Sequence, residues 1–290
     1  MMAKPRPLRK QKSGLAIGPS AVSLPAMHLS DPQIEEFHRK GFLLFPGLLD
    51  EEEAAVLKSG LPALESRDGP EVVREKEGNT IRLIYGGHKL CDPFARLSVM
   101  PRILNPVRQL LGEDAYMHQS RLNPKPGFSG GAWNWHQDFG TWHREDGVPE
   151  PRCVMTAIFL DDASAVNAPL MVLPGSQHHG MVEDVTAEEV TGYALMQIDE
   201  SVVERYAAEN GIVPLMGPAG TVAFIHCNLV HGSANNVSPY PRAIMYFNYN
   251  ACSNIPTGGK GRAWFHNNQD RSPLEPGDDD ALHVLARAAE

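Results

Sequence analysis

Cysteine is scarce in this 290-residue chain: Cys91, Cys153, Cys227 and Cys252 are the only four, and none falls in a Cys-x-x-Cys pair. So few and so scattered, they exclude a disulfide-stapled scaffold and argue against a cysteine-built zinc site. No apolar signal-peptide core precedes them, so the expectation is four reduced thiols in a cytoplasmic protein. Positive charge is also in short supply. The formal net charge is −9, which argues against a nucleic-acid partner, because phosphate binding needs a basic footprint. No run approaches the roughly 18–20 apolar residues of a membrane span, and no internal repeat is visible. What is present, 42% hydrophobic and 21% charged residues, describes a globular chain that can bury one sizeable core. A small molecule is the expected partner, and a homodimer stays open.

Residues 1–29 begin MMAKPRPLRKQK, basic and proline-rich with no apolar period. They read as a disordered basic tail, with a transit peptide as the weaker alternative. Residues 30–290 read as one domain. Ser30 and Gln33 have capping-box spacing, Pro32 suits a first turn, and Gly41 stops a short helix. A second helix is expected over Asp50–Ser59 and a third over Pro101–Leu111, kinked at Pro106. Beyond them the texture changes. Val154–Leu160, Leu170–Leu173, Thr221–Ile225 and Ile244–Tyr249 are short apolar runs parted by Gly, Pro and Asn. That rhythm predicts a mainly β core, barrel or double sheet, flanked by N-terminal helices. Residues 187–209 read as a polar, partly helical insertion. The span 180–213 could close as a lid or simply be a solvated helix. A last helix is expected near Ala281–Ala289.

The segment Trp133–His143, WNWHQDFGTWH, holds His136 and Asp138 two residues apart. On a strand, positions i and i+2 share a face, so both could reach one ion. His231 follows the strand Thr221–Ile225 and offers a third ligand. Two histidines and a carboxylate leave open positions on iron(II) for a bidentate co-substrate and dioxygen. His136 as a core histidine bonded to a carbonyl, or a zinc hydrolase site, are the alternatives. Arg242 lies 11 residues beyond His231. A strand running back beside the one leading to His231 would carry it into the same cavity, where arginine would bind a carboxylate. A surface ion pair is the plainer reading of Arg242.

Five blocks carry a resemblance: HQSRLNPKPGF from His118, WHQDFGTWHREDGVP from Trp135, APLMVLPGS from Ala168, GPAGTVAFIHCNLVHGSANNVSPYPR from Gly217, and FNYN from Phe247. Their order and length resemble the phytanoyl-CoA dioxygenase-like superfamily, and within it the ectoine hydroxylases, from about Phe42 to Asn250. The resemblance implies a double-stranded β-helix (jelly-roll, cupin-like) core. It also implies hydroxylation driven by iron(II), 2-oxoglutarate and O2, with succinate and CO2 as co-products. His136, Asp138 and His231 resemble the iron ligands. Lys125, Arg242 and Ser233 resemble the groups that hold 2-oxoglutarate. Gln119, Trp142 and Arg152 resemble substrate contacts, with core packing the alternative for Trp142 and backbone satisfaction for Gln119. Because Asp138 is retained, hydroxylation is expected over halogenation. Gln137 and Gly140 depart from the serine and glutamate usual in ectoine hydroxylases. A proline- or pipecolate-like acid, or a secondary-metabolite intermediate, therefore competes with ectoine as substrate.

Overall fold

The computed structural model describes residues 27–76, 79–189 and 194–289. Thirteen strands follow in chain order: β1 (Phe42–Phe45), β2 (Val72–Arg74), β3 (Ile81–Tyr85), β4 (Ala115–Asn123), β5 (Trp133–His136), β6 (Cys153–Phe159), β7 (Leu170–Val172), β8 (Val185–Glu189), β9 (Ala194–Ile198), β10 (Val213–Leu215), β11 (Val222–His226), β12 (His231–Ser233) and β13 (Ile244–Ala251). They form two antiparallel sheets. The larger runs β1-β11-β6-β13-β4-β3-β2 and the smaller β10-β7-β12-β5-β9-β8. This is the jelly-roll arrangement, a double sheet flanked by helices.

The central strands β4, β6 and β13 are buried along their whole length. Such strands read as continuous apolar runs because both faces meet protein. Alternation splits their side chains between two layers. Leu122, Val154, Ile158, Met245 and Phe247 point outward into the main core, where Phe37, Leu57, Phe94, Ile103 and Leu104 from the helices cover them. Met155, Ala157, Phe159, Ile244 and Tyr246 point inward and meet Leu170, Val172 and Leu215 of the small sheet. The site lies in that inner space, farther along the same layer.

Four predicted helices form, and short helices at Leu61–Glu65, Gly87–Leu90 and Asp92–Leu97 join them unforeseen. Asp31–Lys40 is opened by the Ser30/Gln33 capping box and closed by Gly41 at φ 83°. Glu51–Ser59 has a second capping box, Asp50 with Glu53. Pro101–Leu111 keeps Pro106 inside it, and Ala281–Ala289 appears as expected.

Two expectations need correction. Within residues 187–209, β8 and β9 pair antiparallel on the edge of the small sheet, ahead of the helix Glu200–Asn210. Leu195 and Ile198 are buried there, so β9 is a sheet strand with a buried face and not a solvated helix. The proposed tail boundary also shifts, since Met27 and Leu29 pack against the main core and Leu29 bonds to Gln109. The rest of the tail, residues 1–26, lies outside the described residues. Among the described residues no helix is long and apolar enough to cross a membrane, and the four cysteines are free thiols.

Candidate metal and anion site

β5 and β12 are neighbours in the small sheet, and His136 stands directly opposite His231 in their register. Direct cross-strand partners point to one face, so two positions far apart in sequence present their imidazoles side by side, with ring centroids 4.2 Å apart. Gly232 allows this closeness: a Cβ there would lie 2.9 Å from the Trp133 carbonyl oxygen. Asp138 arrives differently from the sequence expectation. β5 ends at His136, Gln137 is extended, and Asp138 opens the short helix Asp138–Thr141. The Cys227 carbonyl accepts from the Phe139 N–H at 3.1 Å and fixes that turn. It is the exit from the strand, not i, i+2 alternation along it, that brings the carboxylate to the histidines.

One ligand atom from each of His136, Asp138 and His231 lies within 4.8 Å of the others, and all three residues are buried. The His136 Nε2 is 3.8 Å from Asp138 Oδ1, and the His231 Nε2 is 3.9 Å from Asp138 Oδ2. Nδ1 of His136 donates to the Asn134 carbonyl at 2.6 Å, and Nδ1 of His231 donates to the Leu229 carbonyl at 2.9 Å. A carbonyl can only accept, so both Nδ1 atoms carry the proton and both Nε2 lone pairs face the carboxylate. Burial, and then the neighbouring His231, pushes the His136 pKa down to about 3. Burial likewise lowers that of His231. Burial alone would raise Asp138, but Arg121, His231 and His136 hold it at about 2. Two neutral imidazoles and one carboxylate are the protonation states a divalent ion needs.

The second half of the site is cationic. Arg242 precedes β13, which lies in the large sheet between β6 and β4. Its strand therefore does not run beside β11, the strand leading to His231, as the sequence suggested, because β6 lies between them. The guanidinium instead crosses from one sheet to the other. It donates to the Ala168 carbonyl at 3.1 Å and to Ser233 Oγ at 3.4 Å, while Nη1 is buried with no partner. Lys125 Nζ donates to Ser233 Oγ at 2.8 Å and to the Ala234 carbonyl at 2.6 Å. Burial, then Arg242 and Arg82, drives the Lys125 pKa down to about 6. A buried guanidinium and a buried amine around one serine, with an unused guanidinium N–H, form a cradle for an anion. Lys125, Arg242 and Ser233 are thus brought together as the sequence implied. Ser233 is also the link to the histidines, two residues past His231 on β12.

A cavity of about 20 Å³ joins the halves, lined by Arg121, Trp133, His136, His231, Ser233 and Tyr246 among others. A larger groove of about 760 Å³ lies elsewhere, by Lys58 and Asp161, away from the histidines. Arg121 and Tyr246 escaped the sequence reading. The signal for Arg121 was the polar alternation Gln119, Arg121, Asn123 within a strand buried throughout, since period-two polar residues facing inward need a reason.

The three residues read as substrate contacts fare differently. Gln119 faces inward, but its amide donates to the His266 carbonyl at 2.7 Å and accepts from Arg121 and Asn248. Trp142 is fully buried in an apolar cluster with Phe139, Val148, Cys153 and Cys227, edge-on to His118, and does not line the cavity. Arg152 is the correction. It stands one residue before β6, whose Cys153 turns inward, and its guanidinium is held by Glu113 and Ser253 near the surface. Gln137, a departure from the pattern, donates to the Gly180 and Asn228 carbonyls and accepts from the Val182 N–H. It ties the 180s segment to the site strand and leaves no free group for a ligand.

Comparison with known proteins agrees with this geometry. The model of the family Phytanoyl-CoA dioxygenase (PhyH) matches residues 37–244. The chain is 34% identical over 269 residues to L-proline trans-4-hydroxylase of Streptomyces griseoviridis, covering 88% of this chain and 100% of that one. It is 40% identical over 237 residues to ectoine dioxygenase of Halomonas elongata, covering 78% and 71%. Among solved structures, EctD from S. alaskensis with 2-oxoglutarate and 5-hydroxyectoine superposes with a TM-score of 0.77 at 34% identity, covering 86% of this chain and 88% of that one.

Proposed function

The chain belongs to the phytanoyl-CoA dioxygenase family of 2-oxoglutarate-dependent dioxygenases, and from that premise we propose that it hydroxylates a small cyclic amino acid, ectoine or an ectoine-like molecule first. His136, Asp138 and His231 would hold iron(II). Lys125, Arg242 and Ser233 would hold 2-oxoglutarate. The observation that carries this reading is the unpartnered Nη1 of Arg242. A buried guanidinium N–H without an acceptor is costly, and the same guanidinium bonds to Ser233, which lines the cavity with His136 and His231. A dicarboxylate reaching from metal to arginine satisfies both. The solved relative carrying 2-oxoglutarate, and another form of it with bound iron, support the same assignment.

When bound, iron(II), 2-oxoglutarate and O2 supply the oxidising power to place one oxygen atom in a C–H bond, with succinate and CO2 as co-products. The protein's own part is positional. The two Nδ1–H···O=C bonds lock the imidazoles in one tautomer and orientation. Arg121 steadies Asp138, and Leu170 gives the cavity an apolar wall beside Ser233. L-proline or a pipecolate-like acid is the second reading, favoured by the proline hydroxylase that this chain matches over that enzyme's whole length.

Succinate release by iron(II)-loaded protein in air, supplied with 2-oxoglutarate and either ectoine or L-proline, tests the proposal. Substrate-dependent succinate with a product one oxygen heavier is expected, and it names the substrate. The His136→Ala and Asp138→Ala variants should lose both iron and turnover. Iron-loaded wild-type protein that makes no succinate with any cyclic amino acid would defeat the reading.

A further inference from the structure

Tyr246 stands in the wall of the cavity, 4% exposed, and nothing above uses its hydroxyl. The ring belongs to the apolar layer with Ile244, Leu170 and Val172, and a phenylalanine would pack there as well. The hydroxyl is what packing leaves unexplained, because a buried phenol needs partners. Its hydroxyl lies near the Arg242 guanidinium, close enough for each to affect the other's charge. A guanidinium has only donors, so the phenol oxygen is the atom that can accept from it, and the phenol's own proton remains for another partner. The Arg121 guanidinium also lies over the ring, 5.1 Å from its centroid. Burial keeps the phenol protonated, against the pull of Arg242 and Arg121. Tyr246 thus lines the cavity together with Ser233, whose Oγ accepts from the same guanidinium whose Nη1 has no partner.

Building on the proposed function, we propose that Tyr246 is a binding residue for the co-substrate: its O–H donates to the remote carboxylate of the 2-oxo dicarboxylic acid while its oxygen accepts from Arg242 and keeps that guanidinium aimed. One side chain then acts twice, once on the anion and once on the arginine that holds it. A phenylalanine keeps the ring and loses both.

The test uses iron(II)-loaded protein without oxygen. The visible charge-transfer absorption of a 2-oxo acid on the metal reports binding. Wild type and Tyr246→Phe are titrated with 2-oxoglutarate and with 2-oxobutyrate, which lacks the remote carboxylate. Unchanged iron(II) affinity in the variant checks that the cavity is intact. Tyr246→Phe should weaken 2-oxoglutarate roughly ten- to a hundredfold, the range for a lost hydrogen bond to a charged group, and leave 2-oxobutyrate unmoved. Wild-type affinity for both ligands would make Tyr246 a packing residue and overturn the proposal. Equal weakening of both would overturn it too, since a loosened cavity would then be the cause. Wild-type protein that binds iron but shows no absorption with 2-oxoglutarate defeats the proposed function itself, and this proposal with it.

Discussion

Arg121 donates to Asp138 Oδ2 at 2.7 Å, gripping from the large sheet the carboxylate that the small sheet's exit turn delivers. The pair couples the two halves of the double sheet at the point where the ligands meet. Groups that orient a metal ligand typically matter by roughly 10–100-fold in metal affinity. Arg121→Ala should lower iron(II) affinity by that order, and Arg121→Lys should recover only part, because one ammonium cannot also reach Gln119 as the planar fork does. A competition titration with a metal-binding dye decides it. Unchanged affinity in Arg121→Ala would mean that Asp138 needs no outside support.

On the proposed function, Lys125 should make 2-oxoglutarate binding sensitive to pH. Its pKa falls from the ordinary 10.5 to about 6, so near pH 7.5 it is neutral in the free folded protein and charged in the unfolded chain. Between those values the unfolded state binds more protons, so its effect on stability is adverse at low pH and eases as pH rises from about 6 towards 10.5. A carboxylate in the cradle restores the charged form. Binding of 2-oxoglutarate near pH 7.5 should therefore take up about one proton and weaken as pH rises. Calorimetry in buffers of different ionisation enthalpy measures the uptake. Lys125→Met should abolish it, and an uptake that persists in the variant would place the proton elsewhere.

Arg152 should be dispensable for the chemistry. Its partner Glu113 and its own side chain are both partly exposed, and such surface pairs contribute about 0.2–1 kcal/mol. Arg152→Ala should shift the urea midpoint slightly and leave KM for the substrate unchanged. A large rise in that KM would return Arg152 to the substrate site.

Trp142 is one of the largest fully buried side chains, filling space between Phe139, Val148 and Cys153. Trp142→Ala should cost about 3–5 kcal/mol of stability, as large-to-small core substitutions do. Trp142→Phe should keep most of it. Denaturant unfolding of the two variants checks this, and a near-neutral Trp142→Ala would contradict the packing role.

Much of this molecule was legible in its residues. The helix ends were written in Ser30, Gln33, Asp50 and Gly41, because capping is a local matter of a few side chains and one backbone angle. The apolar runs at Val154, Leu170, Thr221 and Ile244 marked strands, because burial on both faces leaves a continuous hydrophobic signature. The ligand types His136, Asp138 and His231 were apparent from residue chemistry and from the ordered blocks around them.

What the tertiary structure alone decided is how those residues meet. Only strand pairing sets His136 opposite His231, since a register between segments so distant in sequence depends on the whole sheet. The exit turn, held by the Cys227 carbonyl, replaces strand alternation as the reason Asp138 faces them. Arg242 reaches Ser233 across two sheets and not along one. Arg121 and Tyr246 gain their meaning solely from what the fold lays beside them. Arg152 and Trp142 lose theirs the same way: a side chain's chemistry is in the sequence, but its partners and its exposure to a cavity are set by packing between layers.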